Sequence, residues 1–320
     1  MKEKISKLIN VYKKYGFLGF CKKLRAYIIA NYLDKISIKV ILNPNKYRNE
    51  IKEMLLGDYD RIILWRSSFG YNVPLFQRPQ HIANNLSKSN CLVIYEVTTL
   101  KKFQNNLYLF NYNNIKLNKI LNEELKKINI PKYIQLYSTD WKLSVKNIED
   151  YINTGYRFIY EYIDHLSPEL AGTKNLPLNI IEKYEYVMNN KSVYVITTAD
   201  ELAKDVKEKR GEENLAVSSN GVDYEYFQHF EEYKIEDEML KILENGKINI
   251  CYYGALAKWF DYDLIKKIAK TQKYNIILFG IKYDESFDKN INGEENIYFM
   301  GARDYKVLKY YARKCDILII

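Results

Sequence analysis

From residue 61 onward the chain alternates short, unbroken apolar runs with longer stretches in which apolar positions return every three or four residues. Unbroken runs suit strands buried on both faces, and the helical return suits segments that cover them. The runs predict strands over 61–65, 91–96, 133–137, 157–162, 193–198 and 215–218, with helices over 79–88, 115–129, 178–189 and 200–210. A polar, charge-rich stretch over 224–246 interrupts this rhythm. A second series follows it, with strands over 248–253, 275–280, 296–301 and 316–320 and helices over 262–271 and 304–313. Such alternation implies an α/β protein of two Rossmann-like, doubly wound domains, each with a mostly parallel sheet. The boundaries read as an extension over 1–58, a first domain over 59–224, a linker over 225–246 and a second domain over 247–320. The closing DILII run reads as a buried strand with nothing after it to cover it, so the second domain is expected to be incomplete.

Charge changes the picture at the start of the chain. Residues 1–35 hold nine basic and two acidic side chains, so most of the net charge of +9 sits in this arm and the remainder is nearly neutral. Within it Phe17, Phe20, Cys21, Leu24 and Ile28 share one helical face, while Lys14, Lys22, Lys23 and Arg25 fall largely off it. Two readings stand open: a basic amphipathic helix on an anionic membrane surface, or a helix packed on its own domain with a solvated basic side. A nucleic-acid partner is disfavoured, because the remaining surface is not basic. At 47% hydrophobic and 28% charged the chain has an ordinary folded composition. No apolar run is long enough to span a bilayer and the start lacks a secretory signal, which implies a cytoplasmic protein, peripheral on the inner membrane face if the arm binds lipid. Cys21, Cys91, Cys251 and Cys315 are too far apart to form a metal motif.

Several loops carry candidate chemistry. Neither domain has G-x-G-x-x-G after its first strand, and no Walker lysine loop occurs, which counts against NAD(P) and ATP-hydrolysing functions. The loop after the first strand holds Ser68 and Gly70, whose backbone can approach a ligand, followed by Gln77 and Arg78 at a helix start. For Gln77 and Arg78 the alternative is helix capping and a surface ion pair; for His81, packing is the simpler reading. Asp164 and His165 end an apolar strand, where they could orient a sugar hydroxyl or stabilise positive charge, or else cap a turn and remain merely exposed. Asn220-Gly221-Val222-Asp223 reads as a turn. In the second domain Gly254, Ala255 and Lys258 follow a strand, and Gly280 and Gly301 end two more. No paired carboxylates at a strand end and no His or Cys cluster suggest a metal.

In order along the chain stand PLFQRPQHIANNL, FIYEYIDHLS, VITTADELAKDV, SSNGVDYEYF, CYYGALAKWFDYDLI and IYFMGARDYKVLKYYARKCDILII. This series resembles the bacterial glycosyltransferases of the large retaining GT-B family (glycosyl transferases group 1), most nearly those of teichuronic-acid and exopolysaccharide biosynthesis. The resemblance covers about residues 60–320 and implies two Rossmann-like domains facing a cleft. It implies metal-independent, retaining transfer from a nucleoside diphosphate sugar, without a further cofactor, to a cell-surface polysaccharide or lipid-linked acceptor. On the matched positions, Gly254, Ala255, Lys258, Gly280 and Gly301 become donor-binding, Ser68, Gly70, Gln77 and Arg78 line the acceptor side of the cleft, and Asp164 and His165 become catalytic. Ala255 departs from the pattern, since many relatives carry Arg there. The family's P-L-K-x-x-E-Y segment, which follows the strand matching DILII, does not occur in residues 1–320 and implies weak or no transfer by this chain alone. The alternatives are a truncated or non-catalytic binding module of the same fold, and a sugar-nucleotide epimerase, for which no carboxylate set is evident.

Overall fold

The computed structural model describes residues 16–17, 19–22, 38–73, 76–97, 100–168 and 175–319. Two compact units result, Met1–Asn220 and Gly221–Ile320, each built on its own sheet. In the first unit the strands are β1 (Arg61–Trp65), β2 (Cys91–Glu96), β3 (Lys101–Gln104), β4 (Leu107–Phe110), β5 (Lys132–Tyr137), β6 (Arg157–Tyr162), β7 (Tyr194–Thr197) and β8 (Leu215–Val217). They lie in the order β3-β4-β2-β1-β5-β6-β7-β8, parallel throughout except for the β3–β4 pair. Helices α1 (Ile38–Leu42) and α2 (Pro44–Met54) precede β1, and α3 (Arg78–Leu86) leads from β1 to β2. The remaining crossovers are α4 (Ile115–Leu125), α5 (Val145–Asn153), α6 (Leu178–Asn189) and α7 (Asp200–Arg210).

The period-two geometry of a strand sorts alternate side chains onto opposite faces. Ile62, Leu64, Leu92, Ile94, Ile134 and Leu136 pack with Ile51 of α2, Leu121 of α4, Ile148 of α5, Val187 of α6 and Val206 of α7. Their neighbours Ile63, Trp65, Val93, Tyr95 and Tyr137 point the other way and pack with Ala83 of α3. Local signals set the helix starts: Asn114 accepts from Leu117 N at 2.9 Å ahead of α4, and Ser144 accepts from Asn147 N at 3.3 Å ahead of α5.

The second unit contains α8 (Tyr224–Gln228), α9 (Asp237–Leu243), β9 (Ile248–Tyr253), α10 (Tyr262–Lys270), β10 (Tyr274–Phe279), α11 (Ser286–Asn290), β11 (Ile297–Gly301), α12 (Tyr305–Arg313) and β12 (Ile317–Ile319). Its four strands are all parallel, in the order β11-β10-β9-β12. Leu256, Ile276 and Leu278 pack with Ile265 of α10 on one face, and Cys251, Ile277 and Phe279 pack with Tyr311 of α12 on the other.

Three expectations are modified. The stretch over 225–246, expected as a linker, supplies Ile235 and Met239 of α9 to the core of the second unit, because its few apolar residues fall on one side of a short helix. Residues 38–55, expected within a basic extension, bury Val40, Ile51 and Met54 against α4 and the first sheet. The β3–β4 hairpin turns at Asn105 and Asn106, Asn105 having a φ of 45°, a two-residue signal that the unbroken-run criterion does not register. In the amphipathic arm, residues 16–17 and 19–22 are helical where described and Phe17 is exposed. Lys14, Lys23, Leu24 and Arg25 lie outside the described residues. Among the described residues no helix is long and apolar enough to cross a membrane.

Candidate functional site

In an open parallel sheet the loops part at the carboxyl ends of strands where the winding reverses, and ligands bind there. In the first unit that point lies at β1, between β2 and β5. A charged network is built around it. The Arg66 guanidinium, just past β1, donates through Nε to Glu96 Oε2 at 2.9 Å, and the Ser67 N–H donates to the same oxygen at 3.2 Å. The Lys142 ammonium reaches Glu96 Oε1 at 2.8 Å. From the loop after β5, Asp140 accepts from Ser68 N at 2.6 Å and from Lys142 N at 2.8 Å. Burial raises the Asp140 carboxyl above its ordinary value, and those two N–H donors oppose the rise. Lys183, fully buried on α6, donates to the carbonyls of Asp140 and Lys142, and burial lowers its ammonium to about 8. The result is a loop edge held by reciprocal charge pairs, with no carboxylate among Glu96 and Asp140 left unpartnered.

The residues named from sequence occupy different positions in this frame. The Ser68 N–H is committed to Asp140. The Gly70 carbonyl accepts from Gln80 Nε2 at 2.7 Å, while Gln77 caps α3 and donates its N–H to Gln80 Oε1 at 3.1 Å. The Arg78 side chain turns inward: Nε pairs with buried Glu161 of β6 at 3.0 Å, and its Nη atoms donate to Ser218, Ser219 and Asn220. Burial raises the Glu161 carboxyl, while Arg78 and Gln135 hold it down. Gln77 and Arg78 thus cap and pin the fold, and the Arg78 pair is buried where sequence suggested a surface pair. His81 packs edge-on to Phe76 at 4.8 Å, and burial lowers its imidazole. Asp164 and His165 are exposed beyond β6, with the Asp164 carboxyl raised by the surrounding protein. His165 lines a cavity of 330 Å³ with Glu201, Leu202, Lys204, Asp205 and Glu208 of α7. Asp164 and His165 are therefore solvent-accessible polar groups at a strand's carboxyl end, which is where a hydroxyl could be oriented.

In the second unit β9 lies at the corresponding reversal, between β10 and β12. Gly254, Gly280 and Gly301 stand side by side at the carboxyl ends of β9, β10 and β11: Gly254 N donates to Phe279 O and Gly280 N to Gly301 O, both at 3.0 Å. A Cβ at Gly280 would meet the Gly254 carbonyl oxygen at 1.7 Å, and Gly280 has a φ of +145°, so glycine is required there. Beyond the rim the loops zip together through Leu256 N to Ile281 O and Tyr283 N to Leu256 O, each at 2.9 Å. Ala255 is half-buried there, its carbonyl accepting from the Tyr252 hydroxyl at 3.0 Å. The Lys258 N–H donates to Asp284 at 3.1 Å while its side chain is exposed. Hydrogen bonds, first from Ser286 and then from the Lys258 amide, hold Asp284 below the usual carboxylate range. Trp259 and Tyr283 lie in contact at 5.4 Å between centroids, and both are exposed. Among the described residues no group of three or more His, Cys, Asp or Glu side chains is placed to hold a metal ion.

Sequence reasoning found the glycine rim and missed the network of Glu96, Asp140, Lys142, Glu161 and Lys183. A signal was present: Glu96 and Glu161 are charged residues inside otherwise apolar strands, which requires a buried partner.

A scan against protein-family models finds no match, and no curated protein matches the sequence. Solved structures do match. Sucrose-phosphate synthase from Thermosynechococcus elongatus aligns over 81% of this chain and 74% of its own, at 11% identity and a TM-score of 0.59. HepE from Anabaena, in complex with UDP and glucose, aligns over 80% and 73% at 14% identity and a TM-score of 0.53. OtsA in its apo form aligns over 81% and 77% at 12% identity and a TM-score of 0.52. At these identities the likeness speaks to architecture: the chain has the GT-B fold of two Rossmann-like α/β units that these glycosyltransferases share.

Proposed function

We propose that this protein is a glycosyltransferase that takes a sugar from a nucleoside diphosphate donor and passes it to a glycan or lipid-linked acceptor of the cell surface. The observation that carries the reading is the row of three glycine strand ends at the winding reversal of the second unit, with the exposed Lys258 on the adjoining loop. Backbone without side chains lets a diphosphate approach main-chain N–H groups, and a lysine supplies a mobile positive charge. HepE, which shares the fold, was solved with UDP and glucose, which favours a UDP-sugar among possible donors.

In the reaction the bond between the anomeric carbon and the leaving diphosphate oxygen breaks, and a bond from the acceptor hydroxyl oxygen to that carbon forms. The hydroxyl proton passes to the departing diphosphate. The charge that develops on the diphosphate is met by the Ala255 amide, since the Gly254 and Leu256 amides are already held by sheet and loop carbonyls, and by Lys258, so the reading requires no metal ion. Asp164 and His165 orient the acceptor hydroxyl and stabilise positive charge at the reacting carbon. Retention of anomeric configuration belongs to the same proposal through the sequence resemblance, and contact of the basic arm with an anionic membrane through the amphipathic, basic pattern of residues 1–35.

Thermal-shift titration with UDP, UDP-glucose, GDP and GDP-mannose tests the reading. A nucleotide sugar is expected to raise the melting temperature, and Lys258→Ala to weaken that response by about tenfold, the loss of one charge-assisted contact. No response to any of the four ligands would sink it.

A further inference from the structure

Two large cavities of the first unit, 460 and 560 Å³, share Asn118, Asn122 and Lys126 and so form one continuous groove beside α4. Its other wall is α5, through Asn147 and Tyr151, and the Arg66 side chain reaches its floor. Arg66 is more than nine-tenths buried, yet its Nη2 donates to none of the described residues; its Nε is taken by Glu96, and its Nη1 makes only a 3.4 Å contact with the Tyr151 hydroxyl. The guanidinium lies 4.5 Å above the Tyr112 ring, which fixes its plane. A mostly buried guanidinium that lines a cavity and has an uncommitted Nη2 can take an acceptor oxygen there.

The charge around it favours an anion. Glu96 is already shared between Arg66 and Lys142. The two acids on the groove walls are answered elsewhere, Glu123 by Arg48 at 2.6 Å and Asp150 by Lys146 at 3.6 Å. Lys126 forms no ion pair among the described residues, and Lys119 acts on Glu123, which Arg48 already holds, so with Arg66 the basic side chains of the groove outnumber its two acids. Its polar walls carry amides with spare donors: Asn118 accepts from Asn122 Nδ2 at 3.3 Å through Oδ1, leaving its own Nδ2 free, and Asn147 uses only Oδ1, toward Ser144. Amides between tyrosine rings suit a ligand rich in hydroxyls, and a buried arginine suits one oxyanion on it.

We infer that the groove between α4 and α5 is an accessory binding site for an anionic sugar, whose carboxylate or phosphate oxygen bonds Arg66 while its hydroxyls bond Asn118, Asn122 and Asn147. The site lies wholly within the first unit, apart from the glycine rim proposed for the donor. Carboxylate and phosphate present the same chemistry to Arg66, and a titration separates them.

Isothermal titration of the full chain with tri-galacturonate, glucose 6-phosphate and maltotriose tests the inference. At least one of the two anionic probes is expected to bind at least about tenfold more tightly than neutral maltotriose, and to weaken as salt rises. Which of them binds identifies the oxyanion. Asn118→Leu and Asn122→Leu, on the half-exposed wall, are expected to weaken that binding by about tenfold each while leaving the UDP-glucose thermal shift as in the parent. Should either variant fold poorly, Lys126→Glu on the exposed rim gives the same expected loss. The inference is overturned if neither anionic probe binds up to about 10 mM, if maltotriose binds as well as they do, or if the folded variants bind like the parent. Loss of the nucleotide response alone would overturn the donor reading and leave this one standing.

Discussion

Single residues here act mainly by completing someone else's hydrogen bonds. Lys183 is fully buried; it holds the carbonyls of Asp140 and Lys142 and so sets the loop that pairs with Ser68 and Glu96. Lys183→Met is expected to lower stability by about 1–3 kcal/mol, since two buried carbonyls lose their donor. Urea denaturation measures this. The loss also depends on pH. Because burial lowers the ammonium to about 8 from 10.5, the unfolded chain binds more protons between those values. The contribution of Lys183 to stability therefore increases as pH rises from 8 toward 10.5, and the gap between parent and variant should widen over that window. A gap that narrows would show that the ammonium is not destabilised by burial. Lys183 was not legible in sequence as a buried group, since it stands in an α6 whose polar positions look solvated until the β5 loop is laid against them.

At the scale of elements, β6 and α3 are tied by one buried pair. Glu161 reaches Arg78 at 3.0 Å, and Arg78 continues to the chain after β8, so three elements meet through two side chains. Glu161→Leu is expected to cost about 1–3 kcal/mol, because the Arg78 Nε loses its charged acceptor while the Nη atoms keep Ser218, Ser219 and Asn220. Adding Arg78→Met should recover a substantial part of that loss, a coupling that a double-mutant cycle in urea reads directly. Additive losses would mean that the pair is not the unit that joins these elements. The β6 strand itself was legible as FIYEY, an apolar run with one interruption. What the interruption meant was not, because the partner lies 83 residues away.

At the scale of the whole molecule, the two βα series appear as two units, each with its own core. Between β8 and α8 residues 218–223 are exposed without break. Limited proteolysis with subtilisin is expected to cut first within 217–224, giving one fragment from each unit, because exposed backbone outside helices and strands is the preferred substrate. First cuts within 225–246 would instead favour the linker that the polar composition suggested, over the packing of Ile235 and Met239 seen in the second core.

Sequence alone determined ten of the twelve strands among the described residues, missing the β3–β4 hairpin, together with most of the covering helices and the glycines at three strand ends. These follow from local rules: an apolar run must be buried on both faces, and a backbone that approaches another to within bonding distance leaves no room for a Cβ. Tertiary structure decided the strand order, the pairing of Glu96, Asp140 and Glu161 with their cations, the inclusion of residues 38–55 in the first core, and the groove floored by Arg66. Each of these depends on groups far apart along the chain. A buried charge announces in sequence only that it needs a partner; which partner reaches it is settled when the sheet and its helices close around it.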